Sequence, residues 1–193
     1  MKSISRMVLA ALFTGLMVAG ALVTIPFPGV PLVIANAFPW LAGLMLGPAW
    51  AAISTALYLL LGAFGLPVFA GGHAGVGTLM GNTGGFLFGY LLSALVVGWL
   101  RDPAGKSVVR SALAVAAGAV SVYLAGIPWL AFVAFHGAAG FEPGHLVQAF
   151  FWATGPAAFP LLFVIGDVVK AVAVVAVAGV LARLPGVEPL LSK

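Results

Sequence analysis

Long apolar runs, separated by short breaks rich in glycine and proline, organise the chain. The first run covers about 7–25 and stops at Pro26-Phe27-Pro28-Gly29, where prolines end a helix and a glycine permits a turn. The second, about 31–46, ends at Gly47-Pro48, and the third, about 49–64, at Gly65-Leu66-Pro67. Residues 69–77 are too glycine-rich for a stable helix. The fourth run, about 79–100, meets a polar turn from Arg101 to Lys106. The fifth spans about 108–135, residues 136–148 read as a loop, and the sixth spans about 157–183. A helix needs about 20 apolar residues to cross a bilayer. The pattern therefore predicts an all-α integral membrane protein, a single domain of six transmembrane helices over residues 1–193.

Composition narrows the class. Of 193 residues, 63% are hydrophobic and 6% charged, and the mean hydropathy is +1.22. Soluble domains carry roughly 25% charged residues, so an ordinary soluble enzyme is excluded. Disorder requires low hydrophobicity and high charge, and is excluded too. With no cysteine there are no disulfides, thiolate metal ligands or cysteine nucleophiles. The net charge of +4 does not form a basic patch, which argues against nucleic acid as a partner.

Charge placement orients the spans. With the N-terminus inside, the inner regions hold Lys2, Arg6, Arg101, Lys106, Arg110, Arg183 and Lys193, and the outer loops hold no Lys or Arg. That is the positive-inside pattern, with both termini cytoplasmic. The first run also admits a second reading, in which residues 1–21 are a secretory signal with Ala19-Gly20-Ala21 at its cleavage site.

Little catalytic chemistry is present. Gly105-Lys106-Ser107 resembles the end of a phosphate loop, but the position that needs the first glycine is Leu100. No G-x-S-x-G motif occurs. His73, His136 and His145 fall in predicted outer loops without metal-ligand spacing, so neither a metal nor a cofactor is expected and an enzyme is not.

Asp167 and Lys170 carry the most information. On a helix beginning near Pro160 they lie about 10 and 15 Å from its outer end, within hydrocarbon depth. A charge there costs at least about 2.5–3.5 kcal/mol and marks function by default. Three residues apart, the two share a helix face and can pair. One reading is a structural ion pair; the other is a polar site for a compact, partly apolar solute. Asn36 and Asn82 are further amides near the spans, as ligand contacts or interhelical glue. Gly71-Gly72 and Gly84-Gly85 permit close backbone approach. In the first helix, Ala11, Gly15 and Ala19 make a four-residue small stripe, for packing within this chain or for docking a second membrane protein.

Several segments together resemble the BioY family of biotin transporters. They are residues 41–48 (LAGLMLGP), 57–72 (LYLLLGAFGLPVFAGG), 81–90 (GNTGGFLFGY) and 166–170 (GDVVK). The chain departs from the family at Asn82, where proline is usual, and at Ala35, where glutamine is frequent. The resemblance implies a six-helix S component of an energy-coupling factor transporter, binding biotin from the outer side of a bacterial or archaeal cell membrane. A transmembrane coupling subunit and two ATPase subunits would supply energy, with Ala11, Gly15 and Ala19 as the docking stripe. It places Asp167 and Lys170 in the biotin pocket; to these the reading of the residues adds Asn36, Phe69, Gly71, Asn82, Thr83 and Gly84 as expected substrate contacts. An S component for another vitamin and a solitary gradient-driven carrier remain as alternatives.

Overall fold

The computed structural model describes residues 2–26, 30–103, 107–135, 144–154 and 159–183. In chain order the helices are α1 (Lys2–Leu22), α2 (Ala37–Leu46), α3 (Pro48–Ala63), α4 (Val76–Met80), α5 (Gly84–Leu100), α6 (Val108–Phe135), α7 (Gly144–Thr154) and α8 (Phe159–Leu181). Two short strands, β1 (Thr24–Ile25) and β2 (Leu32–Val33), separate α1 from α2. They pair antiparallel, Thr24 against Val33 and Ile25 against Leu32. The segments 4–22, 108–134 and 163–181 are long and apolar enough to cross a membrane.

The fifth run is found as expected, as α6. Others differ. The first run ends as a helix at Leu22, and its last residues, Thr24 and Ile25, form β1. Within the second run, Leu32 and Val33 are extended and only 37–46 is helical. Pro26, Pro28 and Pro31 crowd this stretch, and proline with its preceding residue disfavours the α region. The glycine-rich stretch holds a single 3-10 turn at Ala70–Gly72 before α4, and α5 starts only at Gly84. The expected loop 136–148 is helical from Gly144 onward: Leu146, Ala149 and Phe150 recur at helical spacing, and Ala149 is buried. Lys106, His136 and Lys193 lie outside the described residues.

Helix α1 buries Ala10, Phe13, Thr14, Met17 and Ala21, spaced by three and four. The Thr14 hydroxyl reaches the Ser54 carbonyl at 2.8 Å and ties α1 to α3. Gly47, at φ 80°, lets the chain turn directly from α2 into α3, which begins with Pro48. Arg101 Nη1 caps this break by donating to the Leu44 and Met45 carbonyls at 3.2 and 3.0 Å. Burial, then the charge of Arg6, lower the Arg101 pKa below that of free arginine, so the start of α1 and the end of α5 share one end of the bundle.

Helices α5 and α6 pack closest. A Cβ on Gly89 would stand 3.0 Å from Val122 Cα and from its carbonyl oxygen, so only glycine allows this approach without a shift. This contact sets Phe86, Tyr90 and Tyr123 beside one another: the rings of Phe86 and Tyr123 meet edge to face at 6.5 Å.

Candidate functional site

The polar centre joins three elements. Asp167 and Lys170 lie on α8, one helical turn apart, with Lys170 Nζ 2.5 Å from Asp167 Oδ1. Asn36, at the start of α2, joins both: its Nδ2 donates to Asp167 Oδ1 at 3.0 Å, and its Oδ1 accepts from Lys170 Nζ at 2.9 Å. Lys170 also donates to the Val33 carbonyl at 3.2 Å, on β2. From α6, the Tyr123 hydroxyl donates to Asp167 Oδ2 at 2.6 Å. The Lys170 and Asp167 side chains are only 13% and 11% exposed.

An ammonium has three N–H donors, and the three acceptors Asp167, Asn36 and Val33 match that number. A carboxylate has about four lone-pair sites, of which Asn36, Lys170 and Tyr123 engage three, with only Tyr123 on Oδ2. The pair is therefore electrically closed, while Asp167 keeps room to accept a hydrogen bond from a solute. Leaving either charge single at this depth would cost several kcal/mol.

Asn36, Asp167, Lys170 and Tyr123 line one end of a cleft whose walls include Val30, Pro31, Val33, Phe86 and Tyr90. Those five wall residues also line a larger cavity of about 700 Å³. Its lining adds Thr24, Phe69, Gly71, His73, Asn82 and Thr83. The two spaces thus share a wall; the polar floor belongs to the first and the glycine-rich segment to the second. Such a mostly apolar enclosure with a few placed polar groups is what small-molecule sites require.

Most sequence candidates converge here. Asn36, Asp167 and Lys170 form the floor, and Phe69, Gly71, Asn82 and Thr83 line the larger cavity. Phe69 is buried, its ring edge-on to Tyr58 at 5.5 Å, and it occupies the space that a Cβ on Gly62 would take. Gly84 is buried beside the space: a Cβ there would collide with the Leu79 carbonyl and approach Trp129 Nε1 at 3.2 Å. His145 lies on α7, and among the described residues no group of three His, Asp or Glu side chains could hold a metal ion. Ala11, Gly15 and Ala19 all face outward, and a Cβ on Gly15 would meet nothing within 4 Å.

Sequence reasoning missed Tyr123, Phe86 and Tyr90. Tyr123 carried a usable signal. Tyrosine in membrane helices favours the two interfaces, whereas Tyr123 stands in the middle of a 28-residue helix. A buried phenol hydroxyl in that position needs a partner.

Helix lengths, apolar surfaces and an enclosed polar floor define a multi-pass helical membrane protein with a small-molecule cavity. The BioY family profile matches residues 1–186, and the chain belongs to that family. It is 36% identical over 182 residues to the biotin transporter BioY of Rhodobacter capsulatus, covering 91% of this chain and 90% of that one. To the probable biotin transporter BioY of Pyrococcus horikoshii it is 34% identical over 171 residues, covering 88% and 91%. With the biotin transporter BioY of Thermotoga maritima it shares 42% identity over 97 residues, 50% of this chain and 57% of that one. Among solved structures, the S-component for biotin from an ECF-type ABC transporter superposes with a TM-score of 0.78 at 23% identity, covering 98% and 96%. That likeness establishes the fold.

Proposed function

We propose that the chain binds biotin with high affinity and takes it up across the cytoplasmic membrane as the substrate-binding S component of an energy-coupling factor transporter. The observation that carries this reading is the closed Asn36–Asp167–Lys170–Tyr123 floor in a chain of the BioY family. Biotin's ureido ring offers two N–H donors and one carbonyl. Asp167 accepts a ureido N–H at Oδ2, and Lys170 turns one of its N–H donors from Val33 or Asn36 to the ureido carbonyl. Phe69, Phe86 and Tyr90 cover the sulfur-containing ring, while Gly71, Asn82, Thr83 and Gly84 belong to the outer wall.

The chain acts as one domain of six spans with both termini cytoplasmic. The second span is the unusual one. Ten helical residues reach only about 15 Å, against a hydrocarbon core of about 30 Å. The extended stretch ahead of α2 supplies the rest. Irregular backbone at membrane depth is tolerated where it lines a cavity, and Val30, Pro31 and Val33 do so.

Outward-facing Ala11, Gly15 and Ala19 are the docking stripe for a transmembrane coupling subunit, itself joined to two ATPase subunits. Such a stripe lets two helix backbones approach closely. Equilibrium binding of labelled biotin to the purified protein, with other unlabelled vitamins as competitors, tests the substrate. Saturable binding that only biotin competes away supports the reading. Displacement by another vitamin reassigns the ligand, and absence of binding by folded protein overturns it.

A further inference from the structure

We infer that His73, at the outer wall of the cavity, is the group that recognises the carboxylate tail of the ligand and so selects for an anionic molecule. This inference rests on the biotin reading above. At the polar floor a carboxylate would find no net positive charge, because Asp167 already balances Lys170. A second carboxylate beside Asp167 would face like charge at low dielectric. The uncharged ring end therefore takes the floor, and the charged tail points along the shared wall toward the larger space.

Among the described residues that line that space, Tyr90, Asn82 and Thr83 offer only neutral donors, and His73 alone can carry a positive charge. Two hydroxyls there have already spent their single proton. Thr24 Oγ1 donates to the Ala21 carbonyl, and Thr78 Oγ1 to the Ala74 carbonyl at 2.8 Å. The imidazole keeps an N–H in either neutral tautomer and gains a positive charge on protonation.

Its position is fixed by the loop that carries it. The His73 carbonyl accepts from Phe69 N at 3.1 Å, closing residues 69–73 into a compact turn. The ring folds over Gly71, with Nε2 3.6 Å from the place a Cβ on Gly71 would occupy. Gly71 N in turn donates to Thr24 Oγ1 at 3.4 Å, which holds the turn against β1. His73 is thus an exposed side chain on a tethered backbone, in a part of the cavity lining that the polar cleft does not share.

The test compares biotin with biotinamide, whose neutral primary amide has the shape of the carboxylate. Titration of the purified wild-type protein should give about tenfold tighter binding of the acid. His73→Ala should abolish that preference by weakening biotin more than biotinamide, and the biotinamide binding that remains reports that the variant is folded. His73→Lys should restore a preference for the acid. The inference is overturned if His73→Ala keeps the wild-type preference or weakens both ligands equally. It also falls if the wild type does not distinguish the two. Wild-type protein that binds neither ligand would overturn the biotin reading, and this assignment with it.

Discussion

Asn36 Nδ2 donates to Asp167 Oδ1 at 3.0 Å and joins two helices across 131 residues of sequence. Through the same side chain it accepts from Lys170. One amide thus organises both charges, and the start of α2 is held to the middle of α8 by polar contacts at depth. Removing either end of this contact has different consequences from removing the whole network.

Asp167→Asn leaves the Lys170 charge uncompensated. Breaking a buried pair from one side costs about 3–5 kcal/mol, so the variant should melt at lower temperature in detergent and bind biotin at least tenfold more weakly. The double variant Asp167→Leu with Lys170→Met should recover most of the melting temperature, because an apolar replacement removes both charges together. It should still not bind biotin. Thermal unfolding and titration of the three proteins separate the structural from the binding contribution.

Tyr123→Phe removes one hydroxyl that donates to Asp167 Oδ2 at 2.6 Å and keeps the ring that meets Phe86. A hydrogen bond to a charged group contributes about 1.5–3 kcal/mol. If Tyr123 positions the carboxylate, biotin affinity should fall about tenfold with the fold intact. Unchanged affinity by calorimetry would remove Tyr123 from the site.

Gly15 and Gly89 should respond oppositely to alanine. A Cβ on Gly15 meets open space, whereas one on Gly89 falls 3.0 Å from the Val122 backbone. Gly15→Ala should leave melting temperature and biotin affinity as they are. Gly89→Ala should lower both, since α5 carries Phe86 and Tyr90 in the cavity wall.

Gly15→Leu tests the outward stripe of α1. Detergent-purified protein should bind biotin as the wild type does, while ATP-dependent uptake in cells that hold the coupling and ATPase subunits should be lost. Normal uptake by the variant would show that partners dock elsewhere.

The sequence made some of this legible and hid the rest for physical reasons. The α6 run follows a polar turn and is apolar over most of its length, so its limits could be read directly. Asp167 and Lys170 stood out because charge is rare in the chain, and their i, i+3 spacing required a shared face. The second run was misjudged because hydropathy registers apolar side chains and not backbone hydrogen bonding. Leu32 and Val33 are as apolar as a helix interior, yet the prolines around them make extended pairing with Thr24 and Ile25 the better solution. Residues 144–148 differ the other way: His145 and Gln148 give the stretch a polar look that masks the helical recurrence of Leu146, Ala149 and Phe150. The Asn36–Asp167 contact has no local signature at all. Only the packing of α2, α6 and α8 determines which of the two asparagines, Asn36 or Asn82, meets the ion pair.

The saturated Lys170 ammonium bears on the protein when nothing is bound. A carrier spends part of every cycle empty, with its charges still inside the bilayer. Here the vacant protein needs no chloride, sodium or chain of water to quiet Lys170, because Asp167, Asn36 and the Val33 carbonyl already do so. The idle molecule thus carries its own counterion for Lys170 within the same helix.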